Sequence, residues 1–70
     1  MKSKDYSLSK SEWIALIDEW ILNERDRKIL MRRIIDGVSY ERIAEEFDLS
    51  VQRVKKIVEK AKRTISPFLR

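Results

Sequence analysis

The chain has 70 residues, 40% of them charged, and a net charge of +4. That length allows one domain with a small core, and the longest apolar run, Trp13 to Ile17, is far too short to span a membrane. With no cysteine, no histidine and a single glycine, the chain lacks disulfides, thiol and imidazole chemistry, the usual zinc ligands and a glycine-rich phosphate loop, so neither an enzyme nor a metal or cofactor protein is expected.

The N-terminal MKSKDYS has no hydrophobic signal core, and the absence of cysteine fits a cytoplasmic protein. Residues 1–8 show no apolar periodicity and are expected to form a loose arm ahead of a single domain over residues 9–70. Ser9 and Glu12 have the capping-box spacing just before Trp13, Ile14, Leu16, Ile17, Trp20 and Ile21; the pattern predicts a first helix over residues 10–21. Asn23 can cap a second helix over 24–36, with Glu24 and Asp26 at its positive end. Ile29, Leu30, Ile34 and Ile35 should face inward there, with Gly37 as the stop.

Ser39 caps a short third helix over 40–47, with Tyr40, Ile43, Ala44 and Phe47 as its apolar side. Ser50 caps a fourth over 51–65, whose buried stripe is Val54, Ile57, Val58, Ala61 and Ile65; Pro67 limits its run. No strand alternation or internal repeat is present. The fold class is all-α, a small four-helix domain.

Charge is unevenly placed. Residues 1–22 and 23–49 are each net −1, whereas residues 50–70 carry seven Lys/Arg against one acid, Glu59. A positive excess gathered on one helix is the footprint of a nucleic-acid surface. Glu45 and Glu46, before the junction, have no metal-ligand companions and are expected to be solvent-facing charges.

The third and fourth helices are separated only by Asp48, Leu49 and Ser50. So short a connection forces the helices to cross, as in a helix-turn-helix, whose second helix enters the DNA major groove. Ala44 is small where the two would meet. Asp48 stands where such turns need positive φ, which Asp tolerates better than most residues. With the apolar stripe inward, Arg53, Lys56, Lys60 and Arg63 form an outer ridge, flanked by Gln52, Lys55 and Lys62. The start of such a helix meets base edges, so Val51, Gln52, Arg53 and Lys56 are the expected base-reading residues: Val51 for a thymine methyl, Gln52 for adenine, Arg53 or Lys56 for guanine. Ser39, Ser50, Lys55, Lys60 and Arg63, with Lys56 in support, are expected on phosphates.

Through these residues the chain resembles region 4 of the sigma-70 family of bacterial RNA polymerase sigma factors. The resemblance covers residues 13–67. It lies in LNERDRKILMRRIIDGVSYERIAEEFDLS, with its Ser-x-Glu-x-Ile-Ala core, and in FDLSVQRVKKIVEKAKRTI, with Arg53, Ile57, Lys60 and Ala61 in the recognition helix. It implies four helices, a helix-turn-helix that binds the −35 promoter element, and a first helix pair that helps dock on the polymerase β-subunit flap. Primary sigma factors have Arg and Glu where this chain has Val51 and Gln52, so that base preference is not carried over. The chain has no counterpart of the family's region 2; the expectation is a stand-alone regulator of the phage or mobile-element type.

Trp13 and Trp20, seven residues apart, share one side of the first helix and are candidates for a protein-contact face as well as for the core. The expected partner is double-stranded DNA, with RNA polymerase or a second copy supplying the further contact that one helix in one groove needs; no membrane partner is expected. The alternative is a protein-interaction module docking on RNA polymerase or another regulator through the Trp13/Trp20 face. A DNA-packaging or recombination accessory role is the third reading.

Overall fold

Each helix begins where a side chain is available to take up its first free amides. The computed structural model describes residues 9–68, so the arm expected over 1–8 lies outside the described residues. Helix α1 (Lys10–Trp20) opens on a complete capping box: Ser9 Oγ accepts from the Glu12 N–H, and Glu12 Oε1 accepts from the Ser9 N–H. Helix α2 (Glu24–Ile34) opens on Asn23, whose side-chain oxygen accepts from the Asp26 N–H. Glu24 and Asp26 stand at its positive end, and Arg32 and Arg33 at its negative one. Ser39 and Ser50 cap α3 (Tyr40–Phe47) and α4 (Val51–Ile65) in the same way, accepting from Arg42 and Arg53. A single 3-10 turn, Ser66–Phe68, follows and contains Pro67.

Two helix ends differ from the expected ones. Helix α1 stops at Trp20 with Ile21 as its cap, and the Arg27 guanidinium donates to the Ile21 and Leu22 carbonyls beyond it. Helix α2 stops at Ile34 instead of residue 36. The N–H groups of Ile35 and Asp36 both donate to the Met31 carbonyl, which opens the last turn. Val38 N–H then reaches the Arg32 carbonyl across Gly37, which sits at φ +69°. Because the helix has already unwound there, Ile35 is only half-buried, while Ile34 still packs on the core.

Ile17, Ile29, Leu30, Ile43, Val54, Val58 and Ile65 are fully buried, and among the described residues no polar side chain joins them. Helix α4 packs against α1, α2, α3 and the closing turn, so it runs through the middle of the domain. Its apolar stripe is therefore surrounded, and its basic face is left outside. Among the described residues, no helix is long and apolar enough to cross a membrane.

The α3–α4 junction explains how two helices meet without a glycine. Asp48 takes the left-handed conformation, φ 56° and ψ 47°. Leu49 N–H bonds to the Ala44 carbonyl at 2.9 Å and Asp48 N–H to the Glu45 carbonyl at 3.4 Å, the paired bonds of a Schellman ending. Leu49 then packs back on the core beside Ala44, which is buried. A β-carbon in this conformation is strained, so Asp48→Gly is expected to stabilise the fold by up to about 1 kcal/mol. Thermal melting should show a midpoint a few degrees higher; a lower midpoint would mean that the Asp48 side chain contributes more than its backbone strain removes.

Candidate nucleic-acid interface

Burial of Val54, Ile57, Val58, Ala61 and Ile65 turns the opposite side of α4 to solvent. Arg53, Lys56, Lys60 and Arg63 are all exposed there and line an open groove of about 460 Å³, with Asp26 and Glu59 among its other walls. Among the described residues, none of these four cations forms an ion pair. By contrast Arg25, Arg27, Lys28, Arg32 and Arg42, on α2 and α3, are each paired with a carboxylate. Among the described residues, five of the six cations of residues 23–49 are thus paired with carboxylates, Arg33 being the exception, whereas the four along the outer face of α4 are not.

Gln52 and Arg53 stand exposed in the first turn of α4, where a helix entering a groove would present them. Val51 differs: it is half-buried and packs against the core, so only part of its side chain faces outward. The hydroxyl oxygens of Ser39 and Ser50 accept from helix amides at 3.2 and 3.1 Å. Each hydroxyl keeps its own proton to donate, which is what a phosphate oxygen requires.

Lys55 is placed by a contact that no sequence spacing reveals. Its Nζ lies 5.7 Å from the centre of the Tyr40 ring, and the Arg33 guanidinium lies 4.2 Å from that centre. Arg33 is itself held by donating to the Val38 carbonyl at 3.1 Å. Tyr40, expected only as part of the apolar side of α3, thereby gathers one cation from α2 and one from α4 beside Ser39. The gathering of Arg33 and Lys55 on Tyr40 was not legible in the sequence, because the contact joins three helices.

Glu45 and Glu46 are both exposed, as expected, and Glu46 is in addition ion-paired. Glu46 accepts a two-pronged bond from Arg32 Nε (3.0 Å) and Nη2, with Arg42 Nε 3.7 Å away; Arg32 also reaches Asp36 at 3.1 Å. Packing of α3 on α2 brings these groups together. The Arg32 hydrogen bonds hold the Glu46 carboxyl below the usual carboxylate range and hold Arg32 firmly charged. A carboxyl with a depressed pKa in the folded state contributes stability above its unfolded pKa and loses it as pH falls through the folded value. Glu46→Gln should therefore lower the melting midpoint at neutral pH, and the gap to the parent protein should close once the medium is acidic enough to protonate Glu46. A gap that persisted in acid would assign the effect to something other than this pair.

The two tryptophans part company. Trp13 is half-buried and packs on the core. Trp20 is exposed and stacks on Phe68, ring centres 4.1 Å apart and planes 12° from parallel. Leu22, in the α1–α2 connection, is 84% exposed. Among the described residues the exposed large apolar side chains are Ile14, Trp20, Leu22 and Phe68, with Trp13 only partly exposed.

Residues 21–65 match the family model described as "Sigma-70, region 4". No curated protein and no solved structure matches the chain.

Proposed function

The chain belongs to the sigma-70 region 4 family, and on that premise we propose that it is a transcriptional regulator that lays α4 in the major groove of promoter or operator DNA. The observation that carries the reading is the α4 face, where Arg53, Lys56, Lys60 and Arg63 stand exposed with no carboxylate partner among the described residues, while the arginines of α2 and α3 named above are paired. In this reading Gln52 and Arg53, with Lys56 and the outer part of Val51, meet base edges. Ser39, Ser50, Lys55, Lys60 and Arg63 hold phosphates. The compartment is the cytoplasm, and a second copy or RNA polymerase adds the contact that a lone helix lacks.

Fluorescence anisotropy of a labelled random-sequence duplex, titrated at several salt concentrations, tests it. Binding that weakens steeply with salt is the expected result, because each neutralised phosphate releases counterion. Absence of binding at low salt would remove DNA from the reading. The exposure of Trp20, Leu22 and Phe68 supports a second reading, in which the domain docks on RNA polymerase or another regulator through that face.

A further inference from the structure

The four outward cations of α4 recur at a nearly even interval. Arg53, Lys56, Lys60 and Arg63 follow one another at three, four and three residues, about 4.5 to 6 Å each along the helix axis. Phosphates of one DNA strand recur at about 3.4 Å along the duplex axis. Two such rows of opposite charge attract strongly but fix no register, because a shift along the row exchanges one phosphate contact for another.

One residue breaks that evenness from outside the helix. Asp26, in the first turn of α2, belongs to the wall of the basic groove and to that of an adjoining pocket of about 160 Å³, with Ile57 and Lys60 in both. Its side chain is 27% exposed, and its backbone N–H donates to the Asn23 side chain at 3.1 Å. A carboxylate on so short a side chain, half-buried in a capped helical turn, is held in place. Among the described residues its ion pair is with its neighbour Arg25, at 3.4 Å, and not with the ridge. Glu59, the other acid of the groove, is exposed on α4 itself and has a longer, freer side chain. Nor does α2 depend on Asp26 alone for a charge at its positive end, since Glu24 supplies another.

We propose that Asp26 is a specificity-determining residue that sets the register of a duplex on α4. It admits a phosphate on the outer side of Lys60 and repels one displaced toward α2. The proposal rests on the DNA reading above and adds the residue that restricts it. The repulsion reaches about one Debye length, 8–10 Å at physiological salt, so it acts on the nearest phosphate and not on the duplex as a whole. A correctly placed duplex keeps its backbone clear of Asp26 and loses little. Displaced duplexes, which make up non-specific binding, bring a phosphate against it. Discrimination then comes from a penalty on wrong placements, added to the attraction of the right one.

The test compares the full chain with Asp26→Asn, which removes the charge at nearly constant shape, and with Asp26→Ser, each checked for fold by circular dichroism. Glu24→Gln is the control. It makes the same change in net charge two residues away, at an exposed position paired with Lys28 and outside the groove wall. Anisotropy is measured at low salt on a random duplex and on one selected for tight binding, and the selected duplex is footprinted with hydroxyl radicals. Both Asp26 variants should bind the random duplex about threefold or more tightly, with little change on the selected one. Their footprint should widen by at least one nucleotide, and Glu24→Gln should do none of this. An equal gain for Glu24→Gln would reduce the effect to net charge and overturn the proposal. So would a uniform gain on both duplexes with an unchanged footprint, which would make Asp26 a brake on affinity alone. Weaker binding of the selected duplex by Asp26→Asn would make the carboxylate a favourable contact, again overturning it. If the Asp26 variants matched the parent chain on both duplexes, the proposal would fall and the DNA reading would stand. A parent chain that bound no duplex would remove both.

Discussion

Leu30→Ala is expected to bring the domain close to unfolding at physiological temperature. Leu30 is fully buried on α2, the helix that packs against α1, α3 and α4 together. Truncating such a leucine costs about 2–5 kcal/mol, because transfer energy is lost and a cavity remains. A chain of this length has only about 4–10 kcal/mol in total. A loss near 3 kcal/mol lowers the melting midpoint by about 12–24 °C, which far-ultraviolet circular dichroism on heating would record. Leu22→Ala, at an 84% exposed position, should leave the midpoint where it is and so serves as the matched control. A shift of only a few degrees for Leu30→Ala would mean that the surrounding isoleucines close over the cavity.

The second large effect separates reading from anchoring on one helix. Arg53→Ala, removing an exposed side chain of the first turn of α4, should cost about 1–3 kcal/mol on a selected duplex and much less on a random one, relaxing sequence preference. Lys60→Ala, two turns further along, should weaken both duplexes by the same factor. It should also flatten the plot of log affinity against log salt by about 0.9 for the phosphate contact removed. Salt-dependent anisotropy on the two duplexes gives both quantities at once. If the substitutions had the same uniform effect, Arg53 would be another phosphate anchor.

How far the sequence could be read follows from the range of each interaction. Ser9, Asn23, Ser39 and Ser50 act within three residues of themselves, and all four caps are where their spacing puts them. The turn at Asp48 was legible for the same reason, since its left-handed conformation answers a local demand. The end of α2 was not, because it depends on two amides sharing the Met31 carbonyl. The exposed basic face of α4 could be derived by subtraction from its apolar stripe. The Arg32–Glu46 bridge, the Tyr40 cluster and the Trp20–Phe68 stack each join residues distant in sequence. Those pairings are set by helix packing, and the individual segments carry no periodic mark of them.

The central position of α4, in contact with every other element of the described domain, has a consequence for turnover. No part of the domain can open fully without disturbing the helix that carries the basic ridge. A bound partner that holds this helix therefore opposes unfolding of the whole domain, by an amount that grows with the logarithm of its concentration over its dissociation constant. Binding at that face would then protect the whole domain from proteases that attack the unfolded chain.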